Sequence, residues 1–223
     1  IRGASADAAE SSALRLPRPA LEAADAALAR LGGLVPVHVL PGDGEPTNLS
    51  LPQMPLHPHF FPRARAACGQ SFRCAGNPYS GAVDGLRLLG HAGQPVRDLL
   101  RRARLGEPLD ALAACLHAMH LAPTSPDSLP SRPCGGSDPL VIASPPPHVL
   151  FSGGHARFAH VWRPAGTGSG GTMCVCVPAF ASQAALVLVS TLDPRDVRLR
   201  EFGAASGGAP PVGRGTGAGA PRG

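Results

Sequence analysis

The sequence contains no lysine, so all 20 of its basic side chains are arginines. Asparagine occurs only as Asn48 and Asn77, and aromatic residues make up 4% of the 223 residues. A phosphate-binding P-loop needs a lysine after its glycines, so the glycine-rich stretches of this chain are not P-loops. Single-stranded nucleic acid is usually held by bases stacked on aromatic rings, and the scarcity of rings argues against such a surface.

Long apolar runs are missing as well. No stretch of 18 or more apolar residues occurs, so the sequence predicts no membrane-spanning helix. The first residues lack the basic patch followed by an apolar segment that marks a secretory signal. Because the chain begins at Ile1 without a recognisable element, we expect it to be a piece of a longer protein.

The six cysteines form no C-x-x-C pair. Structural zinc sites usually take their ligands in such close pairs, so the spacing argues against one. Without a secretory signal, we expect free thiols in a reducing compartment. Cys174 and Cys176 flank Val175 in an apolar run, and on a strand both would face the same side.

What the chain does contain is enough apolar material for one core. Hydrophobic residues make up 43% and charged residues 16%, which predicts one folded domain despite 28 glycines and 26 prolines. The net charge of +5 permits contacts with phosphates. The arginines are dispersed, however, apart from Arg97, Arg101, Arg102 and Arg104 on one predicted helix. We therefore expect at most weak direct binding of DNA.

The first half of the chain reads as mixed α and β structure. Residues 1–16 are predicted to be a linker or a truncated start. Apolar spacing predicts a helix from Leu21 to Leu31, and residues 34–40 form a short β-branched run typical of a buried strand. Residues 41–48 then form a turn-rich loop, and the proline-rich residues 51–63 are predicted to hold no regular structure.

The second half is predicted to be mostly β structure after two helices. We expect a strand over 82–89, helices over 94–105 and 107–119, and a long loop over 121–147. Further strands are predicted over 148–152, 158–162, 173–177, 185–192 and 197–202, with a hairpin loop at 166–171. Residues 204–223 are a Gly/Ala/Pro tail predicted to be disordered. The fold class predicted is α/β, a layered α/β sandwich that ends in antiparallel strands.

Two loops at strand ends carry candidate site residues. Gly42-Asp43-Gly44-Glu45 offers two carboxylates for a divalent metal, although Asp and Gly also suit an ordinary solvated turn. Gly153-Gly154-His155 offers a metal ligand or general base, or a glycine turn with an exposed imidazole. The pairs His57/His59 and His117/His120 are each spaced so that they could chelate a metal.

Several segments, taken in order, resemble the small (B) subunit family of DNA polymerase delta. The first contains Val35 to Asn48 and continues through Leu51-Pro52-Gln53-Met54-Pro55-Leu56-His57-Pro58. The others are Asn77-Pro78-Tyr79 with residues 84–94, then residues 120–129, 138–140, 147–153 and 177–180. The resemblance covers residues 17–203.

The resemblance implies a calcineurin-like phosphodiesterase domain, of which this chain holds only the C-terminal part. An oligonucleotide-binding-fold module would lie upstream. The family members resembled are nuclear, non-catalytic scaffolds without a cofactor. They grip the C-terminal cysteine-rich domain of the polymerase catalytic subunit, help carry a further accessory subunit, and meet DNA mainly through the complex, with no role at a membrane.

The resemblance also implies where metal ligands have been lost. Active phosphodiesterases of this fold use two metals, held by Gly-Asn-His-Asp/Glu and Gly-His-x-His motifs at strand ends. Here the first motif reads Gly42-Asp43-Gly44-Glu45 and the second reads Gly153-Gly154-His155-Ala156. A one-residue slip would return His155 to a ligand position, and His120 stands where active relatives keep a histidine. The alternative is therefore an active metal-dependent phosphoesterase or 3′-exonuclease.

A second register takes Gly42-Asp43 as the Gly-Asp motif of the fold and places the Gly-Asn-His motif at Gly76-Asn77, with Gly90-His91 downstream. Pro78 then replaces the histidine that the motif requires. This register also breaks the order of the resembling segments.

The proline-rich loop is the predicted partner surface. A long apolar loop without regular structure normally needs something to pack on. We therefore expect an interface at Leu51, Pro52, Met54, Leu56, His57, Phe60 and Phe61.

Overall fold

The computed structural model describes residues 18–165 and 170–203. The α-helices are α1 (Arg18–Gly32), α2 (Pro62–Cys68), α3 (Gln94–Arg102) and α4 (Pro108–His117). The strands are β1 (Val37–Val39), β2 (Phe72–Cys74), β3 (Tyr79–Val83), β4 (Leu86–His91), β5 (Val149–His155), β6 (Ala159–Pro164), β7 (Gly171–Pro178), β8 (Ala185–Val189) and β9 (Val197–Glu201). Two short 3₁₀ turns, Pro58–Phe60 and Gly69–Ser71, flank α2.

The amino-terminal elements form a small α/β layer. β1 and β2 pair in parallel, and α1 packs over them together with α2. Their shared core contains Val37, Leu56, Phe61, Ala64 and Phe72. The loop that follows β1 extends from this layer towards the larger sheet.

A buried carboxylate joins the two helices of this layer. Asp25 lies on α1, and its two oxygens accept hydrogen bonds from the backbone N–H groups of Arg63 (3.0 Å) and Ala64 (2.9 Å). These groups lie in the first turn of α2, where they have no partner within the helix. Phe61, the residue that precedes α2, supplies no capping side chain of its own. Asp25 therefore caps α2 from another helix.

The main sheet has five strands in the order β3-β4-β5-β7-β6. Its centre, β4-β5-β7, is parallel, whereas both edge strands pair antiparallel. Successive side chains of β7 point to opposite faces. Cys174 and Cys176 pack on one face against α3 and α4, while Met173 and Val175 pack on the other against β8 and β9. The sheet is thus covered by helices on one side and by the β8–β9 hairpin on the other.

The predicted α/β class is confirmed, and so is the shared face of Cys174 and Cys176. All six cysteines are free thiols. The antiparallel pairing of β6 with β7 confirms the hairpin predicted around 166–171, although residues 166–169 lie outside the described residues. The predicted linker and tail, 1–16 and 204–223, also lie outside them. None of the described helices is both long enough and apolar enough to cross a bilayer.

Three predictions about elements were wrong. The strand predicted over 82–89 is in fact two strands, β3 and β4, because Asp84 and Gly85 both adopt positive φ (50° and 82°) and form a tight hairpin turn. The strand predicted over 34–40 is only three residues long. Helix α2 begins at Pro62, inside a stretch predicted to hold no regular structure, because proline is well suited to the first position of a helix.

We expect Asp25→Ala to lower the free energy of unfolding by about 2 kcal/mol, because it leaves the N–H groups of Arg63 and Ala64 without an acceptor. Urea denaturation monitored by circular dichroism measures this. Glu22→Ala is the matched control, since Glu22 is an exposed acid on the same helix. Equal stability of the Asp25 and Glu22 variants would contradict the capping role.

Candidate functional site

The parallel strands β4 and β5 bring two histidines to one edge of the main sheet. His91 ends β4 and His155 ends β5, and parallel strands have their carboxyl ends at the same edge. The loop after β1 reaches this edge and carries Asp43, while α3 starts there and carries Arg97. We call Asp43, His91, Arg97, Gly154 and His155 the edge site.

Arg97 occupies the middle of the edge site. Its Nη2 donates to Asp43 Oδ2 at 2.7 Å. A Cβ atom added to Gly93 or Gly154 would lie 2.8 Å or 3.4 Å from Arg97 Nη1, so the guanidinium is packed against both glycines. Both also have positive φ (106° and 70°), which glycine adopts without strain. Glycine at these positions therefore gives the arginine its space.

The two histidines of the edge site are buried and held neutral. Burial is the largest cause that lowers the pKa of His91 to about 3, followed by the electrostatic interactions of its protonated form with His155 and Arg97. Burial, and then Arg97, lower the pKa of His155 to about 4. His91 Nδ1 accepts a hydrogen bond from the N–H of Gly93. His155 Nε2 is hydrogen-bonded to Ser152 Oγ at 2.7 Å.

The arrangement of donor atoms does not make a cluster for a metal. Among residues 18–165 and 170–203, no group of three or more His, Cys, Asp or Glu side chains could hold an ion. Asp43 is ion-paired, and Glu45 lines a separate apolar groove beside α1, where burial raises its pKa. His120 Nδ1 accepts a hydrogen bond from the N–H of Ala122 in its own turn. Ala156 follows His155 directly and offers no ligand atom.

A buried network of side-chain amides lies beside the edge site. Asn77 is fully buried, and its Nδ2 donates to Gln53 Oε1 (2.7 Å) and Gln94 Oε1 (3.1 Å). Gln53 Nε2 in turn donates to the backbone carbonyls of Gly42 and Asn48, each at 3.2 Å. The network thus fixes the loop that carries Asp43 relative to the start of α3. We call Gln53, Asn77 and Gln94 the amide network.

Sequence reasoning misses both Arg97 as a site residue and the amide network. The sequence marks Arg97 only as one member of an arginine cluster, and its partner Asp43 lies 54 residues away. One feature of the sequence points to the network: asparagine occurs only twice in the chain, and both asparagines have structural roles. Asn48 Nδ2 donates to Pro52 O, and its Oδ1 accepts from the N–H of Met54.

The predicted interface residues divide into an inward and an outward set. Leu51, Leu56 and Phe61 are buried in the chain's own cores, so they are not available to a partner. Pro52 and Phe60 are half-buried, whereas Met54 is 52% exposed and His57 is also exposed. The exposed surface of the loop is therefore smaller than the sequence predicted.

Comparison with known proteins defines the class of the chain. The family model for the B subunits of DNA polymerases alpha and epsilon matches residues 4–160, and the chain belongs to this family. DNA polymerase delta subunit 2 of Drosophila melanogaster is 38% identical over 75% of this chain and 38% of its own length. The DNA polymerase delta small subunits of Oryza sativa subsp. japonica and Arabidopsis thaliana are 32% and 33% identical, each over 74% of this chain.

The resemblance to delta small subunits is thereby confirmed. The match covers 38% of the rice relative and 37% of the Arabidopsis relative. The chain therefore spans less than two fifths of the length of these relatives.

We expect Asn77→Ala to lower the free energy of unfolding by about 3 kcal/mol, because it leaves buried amide groups without partners. Asn77→Asp has the same shape but replaces the donor with an acceptor facing two carbonyl oxygens, so its cost at pH 7 should be at least as large. Chemical denaturation measures both. Ser80→Ala, an exposed change on β3, is the control. A cost below that of the control would contradict the network.

Stability should fall as the pH falls below about 6.5, the ordinary pKa of histidine. Because the pKa of His91 is lowered to about 3 in the folded chain, the unfolded chain binds a proton that the folded chain does not. His91 alone should cost about 2 kcal/mol between pH 6.5 and pH 5. His91→Asn keeps an acceptor for the N–H of Gly93 and removes this part of the slope.

Urea denaturation at pH 7 and pH 5 tests the slope. His160→Asn changes an exposed histidine and should leave the slope at its original value. If the His91 variant loses as much stability between the two pH values as the unchanged protein, the buried neutral state of His91 is wrong.

Proposed function

We propose that the chain is part of a non-catalytic accessory subunit of replicative DNA polymerase delta. This accessory protein binds the C-terminal cysteine-rich domain of the catalytic subunit and helps to carry a further accessory subunit in the nucleus. It meets DNA mainly through the complex. The family of the chain and its relatives among the delta small subunits support its assignment as part of a polymerase subunit.

The observation that carries the non-catalytic part is the position of Arg97. By the resemblance, the edge site is where an active phosphodiesterase would seat two cations. In this chain the guanidinium of Arg97 lies there, ion-paired with Asp43 and packed against Gly93 and Gly154. A fixed positive charge repels divalent cations and takes up the carboxylate that would ligate them. The two histidines of the edge site, His91 and His155, are neutral and buried.

We infer that the α/β layers correspond to the C-terminal part of a calcineurin-like phosphodiesterase domain over residues 17–203. The main sheet with a parallel centre, and the site at the carboxyl ends of β4 and β5, support this inference. The oligonucleotide-binding-fold module would belong to the part of the protein upstream of this chain.

The outward side of the proline-rich loop is the proposed partner surface. Met54 is more than half exposed, and His57, three residues later in the loop, is also exposed. The inward side of the same loop is anchored by Leu51, Leu56 and the amide network. An exposed apolar side chain on such a fixed loop suits recognition by a protein, because binding then orders few new residues.

We expect Met54→Asp in the full-length protein to reduce co-purification with the cysteine-rich domain of the catalytic subunit at least about tenfold, because a buried interface charge is costly. Leu192→Asp is the matched control, since Leu192 is 97% exposed and lies in the β8–β9 connection. Both changes replace an exposed apolar side chain with a carboxylate.

Equal binding by the two variants would contradict this partner surface while leaving the proposed polymerase role intact. Absence of binding by the unchanged full-length protein would contradict that role itself. Manganese-dependent release of nucleotides from a DNA 3′ end by the purified full-length protein would contradict its non-catalytic part.

A further inference from the structure

The sequence His57-Pro58-His59 places two imidazoles side by side on the surface. A 3₁₀ turn over Pro58–Phe60 holds the segment, and the proline ring fixes its own φ angle. The ring centroids of His57 and His59 are 4.7 Å apart with an interplanar angle of 31°. Their Nδ1 atoms are 3.1 Å apart. Of the two histidine pairs that the sequence offered for chelation, this one has its ring nitrogens in contact.

The Nδ1 separation matches what a chelated ion requires. With metal–nitrogen bonds of about 2.05 Å, two donors 3.1 Å apart subtend about 98° at the ion. A tetrahedral angle needs the donors about 3.3 Å apart, which a small turn of either exposed ring supplies. The backbone therefore already holds the two donors close to the separation of a chelate, and rotation of the exposed rings aims both lone pairs at one ion.

Without a metal, the two rings share one hydrogen between their Nδ1 atoms. His57 Nδ1 also accepts a hydrogen bond from the N–H of His59 at 3.3 Å, so His57 carries its own hydrogen on Nε2. His59 then donates from Nδ1. A metal takes both Nδ1 lone pairs when the hydrogen of His59 moves to its Nε2, a change of tautomer in which no covalent bond between heavy atoms breaks.

The surroundings select the class of ion. The pair opens on a cavity of about 290 Å³ that is also lined by Arg65, Gly69, Phe72 and Cys74. No carboxylate lines this cavity, which disfavours Mg²⁺ and Ca²⁺, because both require oxygen ligands. Arg65 lowers the affinity for any cation, so binding depends on imidazole coordination, as with Zn²⁺, Ni²⁺ and Cu²⁺. Cys74 also lines the cavity, but among the described residues it does not join the two histidines in a group of three donors that could hold an ion.

We propose that His57 and His59 form a two-histidine chelate for a divalent transition-metal ion, with water in the remaining coordination positions. The site is separate from the edge site and does not depend on the proposed polymerase role. The cavity leaves room for the water ligands or for a ligand atom from another molecule.

Zinc titration of the full-length protein by isothermal calorimetry, with a non-chelating reductant present, tests the site. His57→Ala and His59→Ala should each weaken one zinc equivalent at least about tenfold, since loss of an outer-shell partner already costs that much. The double variant should bind no more weakly than either single variant, because the two donors act as a unit. His160→Ala removes an exposed histidine elsewhere and should bind like the unchanged protein.

Arg65→Ala should change the zinc affinity in the opposite direction. Removal of its charge should tighten zinc binding roughly two- to fivefold. Both histidines are exposed, so thermal melting should show that their variants remain folded. Identical zinc isotherms for the unchanged protein and the histidine variants would overturn the proposal. The proposal would also be overturned if zinc binding did not require the histidines while inorganic phosphate bound in a way that required Arg65.

Discussion

Three side-chain amides, those of Gln53, Asn77 and Gln94, join parts of the chain that the sequence separates widely. A buried amide is costly unless its donors and acceptors are used, and here Asn77 donates to both glutamines and accepts from the N–H of Ala92. Gln53 Nε2 in turn donates a hydrogen bond to the carbonyl of Gly42, in the loop that carries Asp43. The position of Asp43 next to Arg97 therefore follows from hydrogen bonds made outside the edge site.

Arg97 then decides the charge at that edge. A guanidinium stays protonated at any pH relevant to a protein, so the positive charge of Arg97 is permanent. Its ion pair with Asp43 is partly exposed and contributes little stability by itself. Its larger effect is on chemistry, because it helps to keep His91 and His155 uncharged and crowds the space beside Gly93 and Gly154.

Local patterns predict the elements whose signal lies in neighbouring residues. The continuous apolar run of β7 and the helical periodicity of α4 are both visible in the sequence because each depends only on neighbouring residues. The turn at Asp84-Gly85 is a local signal too, but the apolar residues on both sides of it also fit one continuous strand. The amide network, the cap from Asp25 and the Arg97–Asp43 pair depend on contacts across 17 to 54 residues. Periodicity carries no information about such contacts, so only the fold reveals them.

The two sides of the proline-rich loop explain why the same segment can be both core and surface. Leu51, Leu56 and Phe61 bury their side chains, which anchors the backbone without help from a partner. Met54 and the His57/His59 pair are then left outside on a backbone that does not need to reorganise on binding. At the sheet edge, by contrast, Arg97 packs against Gly93 and Gly154, and the amide network lies beside it. The proposed partner surface lies on the outside of the loop, where a fixed backbone would lower the entropy cost of association.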